Sequence, residues 1–155
     1  MAERQHLHRL PRVWIKPPVY FVTACTAGCH KLLHESEAAE ILRSAWRAAP
    51  AIHGWMVGRY VIMPDHVPFF ASPKPAAKSL SAFVRDWKKW TSRKLIEHEL
   101  ALAPVWQPEF FDHVLRSPKS YSEKWNYVRE NPVRAGLVAE SDQWPFQGEC
   151  VPLRL

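Results

Sequence analysis

The chain has 155 residues, of which 47% are hydrophobic and 12% aromatic, and its formal net charge is +6 at pH 7. This length and composition predict one domain with enough apolar residues for a buried core. No apolar run approaches the ~20 residues of a membrane-spanning helix, and residues 1–16 contain no apolar segment of signal-peptide length. The odd count of three cysteines argues against a disulfide framework, so we expect a cytoplasmic protein without a membrane partner.

Residues 1–17 are predicted to form a basic arm, followed by a domain over 18–146 and a tail over 147–155. The β-branched and aromatic residues of 19–25 predict the first strand. A helix should follow, with Ser36 as its N-cap and Pro50 as its end.

Two strands are then predicted at 55–63 and 67–71, joined by a turn at Pro64 and Asp65. Apolar residues at helical spacing predict a long helix over 79–100. A short strand is expected at 112–116.

The last predicted helix begins with Ser117 as N-cap and Pro118 in its first turn, and it ends near Asn131 because Pro132 follows. The whole order is strand, helix, strand, strand, helix, strand, helix. It predicts an α+β, ferredoxin-like fold: an antiparallel sheet with helices packed on one face and an additional C-terminal helix.

Positive charge is concentrated between residues 74 and 94, where one acid, Asp86, accompanies seven basic residues. Such a local excess attracts a polyanion, although a solvated helix face would have a similar composition. The basic residues are Lys74, Lys78, Arg85, Lys88, Lys89, Arg93 and Lys94.

Two segments combine reactive side chains with constrained geometry. One is MPDHVPFF at 63–70, a turn that leads into a strand, and the other is YVRENPVRAGL at 127–137. Tyr127 and Asn131 are four residues apart, so they are predicted to share one helix face. A phenol can attack a phosphodiester and an amide oxygen can bind a divalent cation, but a half-buried helix face would also carry such a pair.

Three blocks in sequence resemble one known family. The 63–70 segment resembles the Met-Pro-Asn-His-x-His segment of the HUH single-strand nucleases. The 106–116 segment, WQPEFFDHVLR, resembles that family's Trp-Gln block, and 127–137 is similar to the signature of its catalytic helix. The subgroup indicated is the REP-associated tyrosine transposases, whose members act on single-stranded DNA hairpins.

The resemblance implies a role for each matching residue. Tyr127 would be the nucleophile, and His66 and Asn131 would bind Mg²⁺ or Mn²⁺ weakly, with Asp65 as a further candidate ligand. The predicted DNA-binding residues are Lys78, Arg85, Lys88, Lys89, Arg93, Lys94 and Arg134. The predicted supporting residues are Trp106, Gln107, Asp112, His113 and Arg116.

One position departs from the family pattern. Pro68 stands where the family has its second histidine, and residues 66 and 68 of a strand face the same side. Proline offers no ligand and removes a backbone donor from a strand. Asp65 and His113 are the candidate replacements, and we expect impaired cleavage more than rescue.

Three functions remain open on the sequence. The first is hairpin binding with metal-dependent nicking and strand transfer through a 5′-phosphotyrosine, which is the activity of an endonuclease in DNA transposition and recombination. The second is a degenerate hairpin-binding protein without cleavage. The third is an RNA-binding ferredoxin-like module, which would need outward-facing aromatics such as Tyr20, Tyr60 and Phe69. The sequence does not decide between a monomer and a homodimer, and the family implies a bacterial cytoplasm.

Overall fold

A five-stranded antiparallel sheet forms the centre of the structure, a computed structural model that describes residues 17–155. The strands are arranged in the order β4-β1-β3-β2-β5. They are β1 (Val19–Cys25), β2 (Trp55–Val61), β3 (His66–Pro73), β4 (Phe111–Leu115) and β5 (Gln147–Glu149). The predicted α+β fold with an antiparallel sheet is therefore confirmed. The predicted basic arm at 1–17 lies, except for its last residue, outside the described residues.

Four α-helices accompany the sheet within residues 17–155. They are α1 (Ser36–Ile52), α2 (Leu80–Glu97), α3 (Pro118–Val128) and the short α4 (Asn131–Arg134). Ser79 caps α2 by accepting from the amide of Ala82, and Ser117 begins α3 with a capping box to Ser120. Serine side chains thus satisfy amide groups that the first turn of a helix leaves without partners.

Alternation along β3 divides the core into two clusters, one on each side of the sheet. Phe69 is fully buried under α1 and α2, with its ring centroid 5.3 Å from that of Trp46. Phe70 points the other way and stacks 4.9 Å from Tyr121 of α3. We call these two sides of the sheet the two-helix face and the α3 face. The C-terminal helix therefore packs opposite the other two long helices.

Pro50 does not end α1, which continues to Ile52. Pro50 removes one amide donor from the helix. The amide of His53 donates to the carbonyl of Ala49 at 2.8 Å, so the helical hydrogen bonds continue beyond the proline. The predicted N-cap also differs by one residue, because Glu35 occupies that position and Ser36 is already helical.

The predicted single helix through Tyr127 and Asn131 is wrong in detail. Helix α3 ends at Val128, and Asn131 begins α4. Pro132 explains the break, because it has no amide hydrogen with which to continue the helical bonds of α3. Residues 147–155 add β5 to the edge of β2 and pack Leu153 and Leu155 into the α3-face cluster.

Two of the three aromatics that an RNA-binding module would need are buried in this fold, and the third, Tyr20, is partly buried. Phe69 is 0% exposed and Tyr60 is 5% exposed, and both pack into the two-helix cluster. Alternation places both residues on the face that α1 and α2 cover, so neither presents an outward-facing ring for RNA. Within residues 17–155, no helix has the length and apolarity needed to cross a membrane.

Trp46 provides a test of this packing. It is fully buried and lies in ring contact with Tyr60, Phe69 and Trp87. We expect Trp46→Ala to lower the free energy of unfolding by about 3–5 kcal/mol, because it leaves a large cavity. Urea denaturation measures the change. Ile52→Ala on the same helix is the control, since Ile52 is 60% exposed. This substitution should lower the free energy of unfolding by no more than about 0.5 kcal/mol. Similar losses in both variants would contradict the packing.

Candidate functional site

The α3 face is covered at one end and open at the other. Val19 of β1 and Leu115 of β4 are buried against α3, and they face each other in the β1–β4 register. Farther along the same face, Thr23 lies between Phe111 of β4 and Pro68 of β3. Phe111 is 65% exposed, so the sheet surface is accessible at this end. The motif residues of β3 lie on this open end.

His66 is oriented by its sequence neighbour. The Asp65 carboxylate oxygen lies 2.8 Å from Nδ1 of the His66 ring. Because a carboxylate accepts hydrogen bonds, Nδ1 of the ring donates this bond, which leaves Nε2 directed away from Asp65. Both side chains are about one-third exposed. Asp65, a candidate metal ligand from the sequence, thus orients the imidazole in this geometry, as carboxylates beside metal-binding histidines do.

Pro68 is buried in the interior strand, on the same side as His66. The β2–β3 register has its last pair, Tyr60 with Phe69, directly beside Pro68, and a register shift separates that pair from Val57. An irregular ladder at this point accommodates a residue that lacks an amide hydrogen.

Tyr127 is exposed at the end of α3, with 61% of its surface accessible. Two positively charged side chains lie against its ring. The Arg134 guanidinium carbon lies 3.9 Å from the ring centroid and Nζ of Lys124 lies 5.9 Å from it. Lys124 Nζ is also 4.7 Å from the ring centroid of Phe21 on β1, which connects this end of α3 to the sheet. The phenol is therefore accessible and lies in a positively charged environment.

Asn131 is held by the same arginine. Arg134 donates to Oδ1 of Asn131 and, at 2.8 Å, to the backbone carbonyl of Tyr127. Oδ1 of Asn131, which the resemblance assigns to a metal, thus already accepts a hydrogen bond from the Arg134 guanidinium.

His113 does not lie where it could replace the missing histidine. It faces Phe21 in the β1–β4 register, whereas His66 faces Cys25 in the β1–β3 register. Four residues along β1 correspond to about 13 Å, and two strand spacings add about 10 Å across the sheet. Two imidazoles at that separation cannot bind one cation.

These donors do not fit a resident Mg²⁺ or Mn²⁺ site. His66 offers one nitrogen, Pro68 offers nothing, and Asn131 is engaged by Arg134. Between residues 17 and 155, no group of three or more His, Cys, Asp or Glu side chains is arranged to hold a metal ion. Both cations prefer several oxygen ligands, and the residues at the open end do not supply them.

The Trp-Gln pair fastens the segment before β4 to the rest of the domain. The indole N–H of Trp106 donates to Thr91 of α2 at 3.0 Å. The side chain of Gln107 donates to the carbonyl of Thr26, and its amide donates to the carbonyl of Cys25. Both residues therefore hold the 103–110 segment between α2 and the end of β1.

Lys88 differs from the other basic residues predicted to bind DNA, because it is buried. Its ammonium donates to the carbonyls of Gln107 and Glu109 at 2.8 and 2.6 Å. Burial lowers the pKa of this ammonium from its ordinary value. Its contacts hold the 103–110 segment on α2, so the sequence-based assignment of Lys88 to the DNA surface does not fit its position.

The remaining basic residues of this region lie at the surface. Lys78 and Arg85 both contact Asp86, and the pKa of that carboxyl is lowered mainly by the hydrogen bond from Lys78. Lys94 pairs with Glu97, whereas Lys89 and Arg93 are exposed on α2. The charge of this helix is thus partly neutralised by its own acids.

Other predicted supporting residues lie on or beside β4. Asp112 and His113 are exposed on opposite sides of this strand, and Arg116 is exposed just before α3.

Two side chains of the site were not predicted. Lys124 could have been found from its position three residues before Tyr127, whereas the exposure of Phe111 depends on strand register.

Lys88 and Lys89 form a matched pair for a stability test. We expect Lys88→Met to lower the free energy of unfolding by about 1–3 kcal/mol, because two carbonyls lose their donor. Lys89→Met should change it by no more than about 0.5 kcal/mol. Urea unfolding of both variants measures the difference, and equal values would show that the buried ammonium does not stabilise the segment.

Comparison with known proteins finds a relative that matches most of the chain. The chain is 26% identical over 135 residues to the REP-associated tyrosine transposase of Escherichia coli strain K12, covering 87% of this chain and 78% of that protein. No protein-family model matches it.

Two solved structures share the fold. A REP-associated tyrosine transposase bound to a REP hairpin superposes with a TM-score of 0.71 at 26% identity, covering 86% of this chain and 77% of the other. A Deinococcus radiodurans protein superposes with a TM-score of 0.56 at 18% identity, covering 76% and 92% of the two chains. In sequence and in fold, this chain resembles the REP-associated tyrosine transposases.

Proposed function

We propose that this chain binds single-stranded DNA that folds into hairpins, as a transposase-like domain with a weakened or lost ability to cut. The observation that carries the proposal is the match, over 86% of the chain, to a transposase bound to a REP hairpin. The exposed cations of α2 and Arg134 support it, because contacts to phosphates provide much of the affinity for nucleic acid.

The reduced cleavage follows from the site. Pro68 supplies no ligand, Asp65 bonds to His66, and Asn131 bonds to Arg134. Loss of one ligand of a weak site should lower metal affinity by more than the roughly 10–100-fold that outer-shell changes cost. Hairpin binding does not require those ligands, so it can persist when cutting is lost.

Cleavage through Tyr127 is the second candidate, and the exposure of this phenol favours it. In that reaction the phenol loses its proton to solvent, and its oxygen attacks phosphorus and forms a phosphotyrosine bond. The bond from phosphorus to the 3′-oxygen breaks, and the 3′-oxygen takes up a proton. Lys124 and Arg134 would stabilise the negative charge that develops on the phenol and the phosphate.

A denaturing gel with hairpin DNA and either Mg²⁺ or Mn²⁺ separates the two candidates. We expect the wild-type protein to bind the hairpin in a parallel native gel and to form little or no covalent adduct. Pro68→His should raise any adduct formation at least about tenfold, because it restores a ligand beside His66. A strong metal-dependent adduct in the wild type would instead establish an active nuclease.

Tyr127→Phe is the control for the adduct. It removes the nucleophilic oxygen and retains the exposed ring, so hairpin binding should remain while all covalent product disappears. An adduct that persists in Tyr127→Phe would exclude this tyrosine as the nucleophile, and a wild-type protein that binds no hairpin would refute the proposed function.

A further inference from the structure

Cys25 lies directly opposite His66 in the β1–β3 register, and directly opposite residues of two paired strands point to the same side of the sheet. The next pair along, Thr26 with Asp65, contains a backbone hydrogen bond of 2.9 Å. Because hydrogen-bonded and non-hydrogen-bonded pairs alternate, Cys25 and His66 form a non-hydrogen-bonded pair, in which the Cα atoms are about 4.5 Å apart. The thiol and the imidazole are therefore close neighbours on the open end of the α3 face.

Backbone contacts hold this pair in place. Thr26 donates to the carbonyl of Asp65 with its amide at 2.9 Å and with its hydroxyl at 3.1 Å. The carbonyl of Cys25 accepts from the amide of Gln107 at 2.9 Å. The two strands cannot slide past each other here without loss of these bonds, so the fold fixes the separation of the two side chains.

The pair offers one sulfur and one nitrogen donor. Asp65 engages Nδ1 of the His66 ring, which leaves Nε2 free, and Cys25 is partly exposed and forms no disulfide bond. A zinc ion binds thiolate sulfur at about 2.3 Å and imidazole nitrogen at about 2.0–2.1 Å. Side chains whose Cβ atoms are about 4.5–5.5 Å apart can both reach one such ion.

These two donors select a cation of a different class from the Mg²⁺ or Mn²⁺ that the family resemblance implies. Those ions prefer oxygen ligands, whereas thiolate and imidazole together favour Zn²⁺. Burial, followed by the charge of Asp65, raises the pKa of the Cys25 thiol. The thiol therefore loses its proton to solvent as the metal–sulfur bond forms, and the Asp65 carboxylate attracts the incoming cation.

We propose that Cys25 and His66 form a binding site for Zn²⁺, with Asp65 orienting the imidazole and water completing the coordination. In the part of the chain that the structure describes, no group of three or more His, Cys, Asp or Glu side chains is arranged to hold a metal ion. The ion thus has two protein ligands and open positions, and its affinity is lower than that of a closed, four-ligand zinc site. This inference goes beyond the proposed function, because the site requires no DNA.

Co²⁺ is the probe for this site, because a thiolate bound to Co²⁺ gives a charge-transfer absorption band in the near ultraviolet. Histidine ligands alone do not give that band. The full-length protein, freed of metal and kept reduced, should develop the band when Co²⁺ is added. Zn²⁺ should then remove the band by displacing Co²⁺, whereas an excess of Mg²⁺ should leave it unchanged.

Substitutions identify the ligands. Cys25→Ser should abolish the band, and His66→Gln should weaken Co²⁺ binding by more than the roughly 10–100-fold that changes beyond the ligands cost. Asp65→Asn should retain the band and weaken binding within that range, because it loosens the imidazole. Cys29→Ser and Cys150→Ser are the matched controls, since they make the same change at the other two free cysteines, and both should retain the band.

Thermal unfolding shows whether a lost band reflects a lost ligand in a folded protein. Zn²⁺ should raise the Tm of the wild type and of both control variants, because it binds the folded state. Cys25→Ser should unfold cooperatively with a Tm that Zn²⁺ does not change. No band in the wild type, a band that persists in Cys25→Ser, or an equal loss in Cys29→Ser would overturn the proposed site. These titrations contain no DNA, so their failure leaves hairpin binding untouched, and failure of hairpin binding leaves the site untouched.

Discussion

Burial of β3 on both sides is the constraint on which the rest of the structure depends. Phe69 completes the cluster under α1 and α2, and Phe70 completes the cluster under α3. Because adjacent residues of a strand point to opposite sides, these two contacts fix the direction of every other β3 side chain. The directions of His66 and Pro68 therefore follow from core packing and are independent of their chemistry.

The sequence predicted the fold well where periodicity is strong. Residues such as Trp46 and Trp87 lie at helical spacing and are buried as expected, and serine caps begin α2 and α3. The three motif blocks indicated the family resemblance from residue types and order alone. Such features are local, so they can be recognised without knowledge of the tertiary structure.

Features that depend on contacts between distant segments were not predicted. The burial of Lys88 results from the carbonyls of a segment about twenty residues later. The bond from Arg134 to the carbonyl of Tyr127 joins α4 to the end of α3, across a break that a continuous helix pattern does not indicate. The distance between His113 and His66 depends on two strand registers that the sequence pattern leaves undefined.

The place of Pro68 also limits how a chain of this kind can change over time. Residues 67 and 69 on either side of it face the opposite cluster, so neither can provide a substitute ligand on the α3 face. Cross-strand neighbours on β1 that face the same side are Thr23 and Cys25. On β1 and β3, a new ligand near His66 would have to arise at one of those positions or at position 68 itself. Alternation on a buried central strand therefore restricts the positions from which a side chain could join His66 on this face.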